Sequence, residues 1–259
     1  MKKLLEAKSL FLIDLDGVFY KGKESRVKIG GTSAIKALRA NGKKLFILTN
    51  NSTDSAATVY SRLIEFGIPV KKDEVLTSGL LTAEYLQERH GRVSYFLVGE
   101  KGLDAELRRC GHRRTSGETA DFVVVGLDRK ITYDKLDHAA RLARNGAGIV
   151  ATHASRLYMY KSGPAMATGP LVKAIEYASQ KRAIVIGKPS PLMFNIALRR
   201  AGSNRNESVM IGDQAETDIL GASRAGIDAI LVTTGIDHDA PGMKLLAKIS
   251  NVDEIVRLL

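Results

Sequence analysis

Cysteine and tryptophan are almost absent from this chain. Its 259 residues include one cysteine, Cys110, and no tryptophan. A single cysteine excludes an internal disulfide, and no group of cysteine and histidine residues has the spacing of a zinc site. The lack of disulfides agrees with a reducing compartment, so we expect the protein to be cytoplasmic.

Long hydrophobic runs are also absent, and no apolar stretch is long enough to cross a bilayer. The N-terminal Met-Lys-Lys-Leu-Leu resembles the start of a signal peptide. However, Glu6 and Lys8 interrupt its apolar part, and no small-residue cleavage site follows before Asp14. Because 44% of the residues are hydrophobic and 26% are charged, we expect an ordinary soluble globular protein without a membrane partner.

Acidic residues are too few to balance the basic ones, and the formal net charge is +11. An excess of this kind would suit a nucleic-acid partner. The basic residues are spread along the chain, however, and the densest cluster has no aromatic neighbour that could stack on a base. We therefore expect a solvated basic face that attracts small anions, and no nucleic acid. The cluster consists of Arg108, Arg109, Arg113 and Arg114.

The chain does contain a regular alternation of short apolar runs and amphipathic helical segments. This order predicts an α/β protein with a parallel sheet built from βαβ units. The stretch from Thr152 to Gly169, which contains Lys161 and Pro164, is predicted to be a loop, and 252–259 a short helix. The predicted strands are 10–13, 44–49, 93–98, 122–125, 149–151, 183–186, 208–211 and 229–232.

Two carboxylates follow the first of these strands. Asp14 and Asp16 lie two residues apart at its carboxyl end, and Gly17 lets the chain turn away. That edge of a parallel sheet is where ligands bind. Crowded carboxylates repel each other unless a cation or a proton offsets their charge, which favours a binding site. A helix cap or an ordinary turn is the alternative interpretation.

Polar residues also follow three later strands: Thr49 with Asn50, then Lys188, then Asp213 with Asp218 behind it. Taken singly, each has a structural explanation, such as a helix cap for Thr49 or Asp213 and a surface position for Lys188. Together at one sheet edge they suit phosphoryl transfer, which depends on positioning and charge stabilisation. Carboxylates are ligands for Mg²⁺, and a lysine and a hydroxyl can hold phosphoryl oxygens.

With these residues the chain resembles a known group of proteins. Four stretches are similar to the four motifs of the haloacid dehalogenase superfamily, and the resemblance spans nearly the whole chain. The closer match is its nitrophenylphosphatase-like branch, which includes NagD-type sugar phosphatases and phosphoglycolate phosphatases. The stretches are Asp14-Leu-Asp16-Gly-Val, Thr49-Asn-Asn51, Gly187-Lys188-Pro and Gly212-Asp213-x-x-x-x-Asp218.

The resemblance implies a fold and a domain organisation. Proteins of this branch have a Rossmann-like parallel-sheet core that is interrupted by an inserted α/β cap of the C2 type. In this chain the core would comprise residues 1–79 and 183–259, and the cap would comprise residues 80–182. We also expect a homodimer formed through the cap.

The resemblance also implies catalytic roles. Asp14 would be the nucleophile that forms an aspartyl-phosphate. Asp16 would protonate the leaving oxygen and then activate water for hydrolysis of that intermediate. Thr49 and the backbone N–H of Asn50 would grip the phosphoryl group, and Lys188 would offset its charge.

The implied cofactor is Mg²⁺. Asp14, the backbone carbonyl of Asp16 and Asp213 would hold the ion. Asp218 and Asn51 would support these residues. Carboxylate and carbonyl oxygens are the hard ligands that this ion prefers.

In the cap, the resemblance implies a substrate-specificity loop at residues 126–131. Its charged residues, Arg129 and Lys130, are therefore candidate substrate contacts, with a solvated turn as the alternative. His153 departs from the asparagine that the branch often has at this position. We interpret His153 as a packing residue in preference to a substrate contact.

The sequence thus predicts a Mg²⁺-dependent phosphatase for small phosphate monoesters of the sugar phosphate, phosphoglycolate or nitrophenyl phosphate type. Two alternatives stay open: a phosphotransferase of the same superfamily, and a catalytically silent phosphosugar-binding protein. A receiver-type phosphoacceptor module is disfavoured because the chain is too long and the acidic pair has a different spacing. The lack of a Walker A pattern excludes a P-loop ATPase.

Overall fold

The computed structural model describes residues 2–21, 27–160 and 163–259 of the chain. The chain divides into two compact units. The first unit comprises Met1–Thr49, Ala57–Leu76 and Lys188–Leu259. The second unit comprises Asn50–Ala56 and Thr77–Gly187.

Strands and α-helices alternate along most of the described chain, as the apolar pattern predicts. Within the described ranges, no helix combines the length and the apolar character of a membrane span. The strands are β1 (Leu10–Ile13), β2 (Lys44–Thr49), β3 (Val75–Thr77), β4 (Ser94–Val98), β5 (Arg113–Arg114), β6 (Phe122–Val125), β7 (Gly148–Ala151), β8 (Leu157–Tyr160), β9 (Gly163–Met166), β10 (Ile184–Val185), β11 (Ser208–Gly212), β12 (Asp228–Val232) and β13 (Ala247–Ile249). The α-helices are α1 (Lys2–Glu6), α2 (Thr32–Ala40), α3 (Ala56–Glu65), α4 (Ser78–His90), α5 (Lys101–Arg109), α6 (Tyr133–Arg144), α7 (Thr168–Ser179), α8 (Pro191–Ala201), α9 (Leu220–Ala225) and α10 (Ile255–Leu258). Shorter helical turns occur at Lys72–Glu74, at Val252–Glu254 and, with π geometry, at Ala215–Ile219.

The first unit is built on a six-stranded sheet in the order β13-β12-β11-β1-β2-β3. β1 lies between β2 and β11 and is parallel to both, with Ile13 level with Ile47 and Ile211. All four residues of β1 are buried. A strand that is buried on both faces has a continuous apolar sequence, which explains the Leu-Phe-Leu-Ile run. The carboxyl ends of β1, β2 and β11 therefore meet at one edge of the sheet.

Helix ends in both units follow local capping signals. α8 begins at Pro191, which needs no N–H partner, and the hydroxyl of Ser190 accepts a hydrogen bond from the N–H of Leu192. The helix ends before Gly202, which has a left-handed conformation with φ 58°. The hydroxyl of Thr132 caps α6 in the same way. Both helices therefore begin next to residues whose side chains suit a helix start.

The second unit has a parallel sheet of its own, in the order β10-β7-β6-β4-β5. Its central strand, β6, is rich in valine and lies between β4 and β7. Apolar residues of this sheet pack with α6 and α7 in one buried cluster, which includes Val123, Leu142 and Ile175. The second unit thus has a hydrophobic core that is built by the same alternation of strands and helices.

Part of the stretch from Thr152 to Gly169 forms an antiparallel hairpin. β8 pairs with β9, and Leu157 lies opposite Met166. The loop prediction is wrong for these residues, because Gly163 and Pro164 at the start of β9 obscure the strand signal. Proline is tolerated there because a two-stranded sheet consists of edge strands only. Lys161, in the same predicted loop, lies outside the described residues.

The strand predicted at residues 183–186 occurs at Ile184–Val185 but belongs to a different sheet from the one expected. β10 pairs with β7 of the second unit, and that unit continues to Gly187. The second unit also begins slightly before residue 80 and includes the short segment Asn50–Ala56. The interpretation of the two units as a hydrolase core and a cap stays a prediction.

Two three-residue strands at the edges of the first unit's sheet were not predicted, β3 (Val75–Thr77) and β13 (Ala247–Ile249). β13 contains only Ala247, Lys248 and Ile249, and it pairs with β12 at the edge of the sheet. Three residues are too few to show a clear strand period in the sequence. The predicted terminal helix is present as the helical turn Val252–Glu254 followed by α10.

Candidate active site

Three aspartates meet at the carboxyl edge of the first unit's sheet. Asp14 follows β1, Asp213 follows β11, and Asp218 lies on the π-helical turn behind Asp213. One carboxylate oxygen from each residue lies within 4.8 Å of the other two, and all three residues are buried. Since β1 and β11 are adjacent and parallel, the chain leaves both strands at the same level. The sheet therefore brings these carboxylates together.

Lys188 joins the three aspartates from outside the sheet. Its Nζ donates a hydrogen bond of 2.6 Å to Oδ1 of Asp14 and lies 2.6 Å from Oδ1 of Asp218, in an ion pair. The side chain of Lys188 is only 2% exposed. The expectation that Lys188 follows a strand of the same sheet is wrong, because β10 belongs to the sheet of the second unit. The lysine nevertheless reaches the carboxylates that it was predicted to accompany.

Burial and neighbouring charges shift the pKa values of Lys188, Asp213 and Asp218. Burial and the charges of Asp14 and Asp218 raise the pKa of Asp213 well above its usual range. Burial and the charge of Asp14 raise the pKa of Asp218 to about 7, although Lys188 opposes this. Burial disfavours the charged form of Lys188, but the two carboxylates outweigh it and raise the pKa of the lysine. The cluster therefore carries an excess of negative charge that a proton or a cation must offset.

Backbone groups enclose one oxygen of Asp213. Its Oδ2 accepts a hydrogen bond of 3.0 Å from the N–H of Ile236. A Cβ atom added at Gly17 or Gly235 would lie 2.2 or 1.8 Å from this oxygen, so both positions require glycine. Gly17 also has φ 80°, a conformation that favours glycine. The other oxygen, Oδ1, is buried and accepts no hydrogen bond from the described residues.

The arrangement fits a divalent cation. Carboxylate oxygens are the hard ligands that Mg²⁺ and similar ions prefer. The buried Oδ1 of Asp213 requires a partner, which such an ion would supply. Asp218 is partly engaged already, because its Oδ2 accepts a hydrogen bond of 3.1 Å from the N–H of Gln214. Asp14, Asp213 and Asp218 are thus the carboxylates that could hold a metal ion.

Asp16 and Thr49 are the other predicted site residues of the first unit. Asp16 is half-buried on the turn after β1, where the N–H of Gly17 donates a hydrogen bond of 2.8 Å to the carbonyl of Tyr20. Thr49 is buried and is the last residue of β2. Because β1 and β2 are parallel neighbours, Thr49 lies at the same sheet edge as Asp14.

Asn50 and Asn51 begin a short segment that belongs to the second unit. Oδ1 of Asn51 accepts hydrogen bonds of 3.0 Å from the N–H groups of Thr53 and Asp54, which form a turn around this side chain. The hydroxyl of Ser78 donates a hydrogen bond of 2.8 Å to the carbonyl of Asn50. Asn51 therefore shapes the segment, and Ser78 anchors it at Asn50.

Arg129 and Lys130 lie on the turn between β6 and α6. Glu100 binds the guanidinium of Arg129 through two contacts, Nε to Oε1 at 2.7 Å and Nη2 to Oε2 at 2.8 Å. The same guanidinium lies 5.9 Å from the ring centroid of Tyr160. Lys130 is exposed, and its N–H donates a hydrogen bond of 3.0 Å to Oδ1 of Asp128. Arg129 thus stabilises the turn, whereas the side chain of Lys130 faces solvent.

His153 is buried in the second unit. Its Nε2 lies 2.9 Å from the hydroxyl of Thr168, and its Nδ1 accepts a hydrogen bond of 3.3 Å from the N–H of Ser155. Both ring nitrogens therefore have partners inside the same unit. These contacts favour the interpretation of His153 as a packing residue.

The sequence analysis missed one loop that contacts this site. Residues 233–237 follow β12, and the hydroxyl of Thr234 donates a hydrogen bond of 2.6 Å to the carbonyl of Gly17. In the same loop, Ile236 contacts Asp213 as described above. The signal was present, because Thr-Thr-Gly-Ile-Asp directly follows an apolar strand. The same reasoning from strand ends that singled out Asp213 applies to this loop.

Comparisons with known proteins identify the family of this chain. The family model for haloacid dehalogenase-like hydrolases matches residues 11–113, and a HAD-hydrolase-like model matches residues 185–256. An acid sugar phosphatase of Staphylococcus epidermidis is 35% identical over 87% of this chain and 86% of that protein. The chain belongs to the haloacid dehalogenase-like hydrolases.

Two further proteins define the branch of this haloacid dehalogenase-like hydrolase. A 5′-nucleotidase of Bacillus subtilis is 32% identical over 87% of each chain. The structure of a 4-nitrophenylphosphatase of Thermotoga maritima has a TM-score of 0.90 and 32% identity, covering 98% of both chains. The predictions of the nitrophenylphosphatase-like and NagD-like branch, of the Rossmann-like α/β fold and of a phosphoric monoester hydrolase are confirmed.

Proposed function

We propose that this haloacid dehalogenase-like hydrolase cleaves small phosphate monoesters by transferring the phosphoryl group first to Asp14 and then to water. One observation carries the proposal: Asp14 is buried at the sheet edge, in contact with Lys188 and beside Asp213 and Asp218. A carboxylate held in one orientation is suited to act as a nucleophile. Catalysis of phosphoryl transfer depends mainly on such positioning and on charge stabilisation.

The reaction has two steps. In the first, a carboxylate oxygen of Asp14 attacks phosphorus, the bond to the ester oxygen breaks, and Asp16 gives that oxygen a proton. In the second, Asp16 takes a proton from water, which attacks phosphorus and releases inorganic phosphate and the Asp14 carboxylate. One residue thus serves as acid and then as base. The half-buried position of Asp16, on the turn after Asp14, supports this role.

Three further residues act on the phosphoryl group. Lys188 offsets the charge of the phosphoryl oxygens while its hydrogen bond keeps Asp14 in one orientation. The hydroxyl of Thr49 and the N–H of Asn50 donate hydrogen bonds to these oxygens. Donors that are already in place stabilise the transition state without reorganisation. Asn51 supports them by shaping the turn that follows Asn50.

The proposed cation is Mg²⁺, held by Asp14, the carbonyl of Asp16 and Asp213, with Asp218 in support. When bound, the ion supplies positive charge that offsets the repulsion between the phosphoryl group and the carboxylates. The raised pKa values of Asp213 and Asp218 support the proposal, because burial and the neighbouring carboxylates disfavour their charged forms, which a bound cation would stabilise. The buried Oδ1 of Asp213 supports it independently.

The proposed substrates are small phosphate esters of the sugar phosphate, phosphoglycolate or nitrophenyl phosphate type. The similar proteins are named an acid sugar phosphatase, a 5′-nucleotidase and a 4-nitrophenylphosphatase, which share the phosphate and differ in the remainder of the substrate. We propose that Lys130 contacts that remainder and that Arg129 shapes the turn. A homodimer formed through the cap and a cytoplasmic location stay predictions.

Release of inorganic phosphate from a panel of phosphate monoesters tests the proposal. We expect turnover by the wild-type enzyme, loss of turnover in EDTA, and recovery in excess Mg²⁺. Asp14→Asn should abolish turnover with an unchanged circular dichroism spectrum. The control is Asp239→Ala, whose wild-type side chain is 73% exposed, and it should keep full activity. Wild-type turnover by Asp14→Asn would contradict the proposal, and transfer to an added alcohol without hydrolysis would favour a phosphotransferase.

A further inference from the structure

The loop after β12 holds Asp213 through two backbone N–H groups. The N–H of Ile236 donates to Oδ2 of Asp213, and the N–H of Asp237 donates to its carbonyl oxygen, both at 3.0 Å. Between Thr234 and Ile236, Gly235 allows the backbone to approach the carboxylate. Thr234 ties the loop to the turn after β1. The position of this loop therefore determines where the carboxylate of Asp213 lies.

Asp237 also contacts the π-helical turn that carries Asp218. Its Oδ2 accepts a hydrogen bond of 2.7 Å from the N–H of Ala215, the first residue of that turn. The first N–H groups of a helical turn have no acceptor within the turn, so a carboxylate in this place satisfies one of them. Asp218 closes the turn, because its N–H donates a hydrogen bond of 2.9 Å to the carbonyl of Gln214.

We propose that Asp237 is a positioning residue for the cation site. Its side chain fixes the turn that carries Asp218, and its N–H fixes the backbone of Asp213. One residue thus sets the relative placement of two of the three clustered carboxylates. Asp237 is not a member of that cluster, so it acts through Asp213 and Asp218. The inference rests on the proposed function, because it takes Asp213 as a ligand of the ion.

Placement has a large effect on a hard cation. Mg²⁺ demands near-ideal octahedral geometry, so a small displacement of one carboxylate weakens its binding. Removal of a group that orients a ligand typically costs about 10–100-fold in metal affinity. The contact with Ala215 requires only an acceptor oxygen, which an asparagine at position 237 would also supply. The Asp237→Asn variant therefore separates the effect of positioning the two carboxylates from the effect of the charge of Asp237.

Calorimetric titration of Mg²⁺ into the metal-free, full-length enzyme tests the proposal without relying on turnover. We expect Asp237→Ala to raise the Kd for Mg²⁺ roughly 10-fold or more. Asp237→Asn should bind Mg²⁺ with nearly the wild-type Kd. The control Asp239→Ala, which changes an exposed residue just after the loop, should not change the Kd. In parallel, the Mg²⁺ concentration for half-maximal rate should rise in Asp237→Ala while kcat at saturating Mg²⁺ changes little. A merely structural role would lower the Tm of the metal-free protein and leave the Kd unchanged.

Two results would overturn the proposal directly. One is an unchanged Kd in folded Asp237→Ala, and the other is an equal rise in Asp237→Ala and Asp237→Asn, which would assign the effect to charge. If Asp237→Ala does not fold, Asp237→Leu replaces it, because leucine also lacks the acceptor oxygen for the N–H of Ala215 but has a side chain of similar size to aspartate. That variant should raise the Kd, and an unchanged Kd would overturn the proposal.

Asp213→Asn separates this inference from the proposed function. One outcome would reject only the positioning role of Asp237. In it, the wild-type enzyme binds Mg²⁺, Asp213→Asn does not bind the ion, and Asp237→Ala binds it with the wild-type Kd. If the wild-type enzyme does not bind Mg²⁺, or Asp213→Asn binds it equally well, the proposed metal site fails and the positioning role fails with it.

Discussion

The ammonium of Lys188 lies 2.6 Å from a carboxylate oxygen of Asp14, and both side chains are buried. Two further carboxylates, those of Asp213 and Asp218, belong to the same cluster. Asp14 and Asp218 therefore share the ammonium of Lys188, and Asp213 lies beside them. Since charges interact strongly where water is excluded, the lysine both orients the proposed nucleophile and stabilises the cluster.

Removal of this cation should destabilise the metal-free protein. In Lys188→Met, buried carboxylates lose their partner, which typically costs about 3–5 kcal/mol of unfolding free energy. Urea denaturation measures this quantity. The control is Lys8→Met: Nζ of Lys8 lies 2.7 Å from Asp228, but the side chain of Asp228 is 41% exposed, so a smaller loss is expected. A loss in Lys188→Met that does not exceed the loss in Lys8→Met would contradict the role given to Lys188.

Asp16→Asn should reduce turnover according to the leaving group. Removal of a general acid and base typically costs about 10²–10⁴-fold in rate. The loss should be larger for an alkyl phosphate, whose leaving oxygen needs the proton, than for nitrophenyl phosphate. Steady-state kcat values for both substrates measure the difference. An equal loss for the two substrates would indicate that Asp16 has a structural role only.

The sequence predicts that Asp14, Lys188, Asp213 and Asp218 meet at one sheet edge, but the pattern of strands by itself accounts only for Asp14 and Asp213. Asp14 and Asp213 follow continuous apolar runs of the kind that buried parallel strands have, and such strands place their carboxyl ends together. Asp218 lies on a π-helical turn, and regular helical spacing does not give its direction. The position of Lys188 depends on which sheet β10 joins. The sequence of a strand does not show which other strand it will pair with.

Short elements limited the prediction elsewhere. The loop at residues 233–237 follows a predicted strand, but the contact between Ile236 and Asp213 arises from tertiary packing and not from sequence spacing. The hairpin of β8 and β9 contains Gly163 and Pro164, which are typical of turns. The environment of Arg129 was also not predictable, because Glu100 precedes it by many residues and meets it only in the folded unit.

The pair Arg129 and Lys130 should respond differently to substitution. Lys130→Ala should raise KM for the preferred small phosphate ester and leave kcat for nitrophenyl phosphate nearly unchanged, because only binding of the remainder of the substrate is lost. Arg129→Ala breaks the contact with Glu100 and should loosen the turn, and Glu100→Gln should reproduce part of this effect. Kinetics on both substrates measure the two patterns. A loss of kcat on every substrate in Lys130→Ala would show that this residue does not select the substrate.

Mass spectrometry of the enzyme, quenched in acid during turnover, tests the proposed nucleophile most directly. An aspartyl-phosphate is stable enough in acid to be located by peptide mapping, and Asp16→Asn should increase its amount because hydrolysis of the intermediate then lacks a base. We predict a phosphoryl group on the peptide that contains Asp14, at that residue, and no such group in Asp14→Asn. A phosphoryl group on any other residue, or turnover by Asp14→Asn at the wild-type rate, would contradict the account.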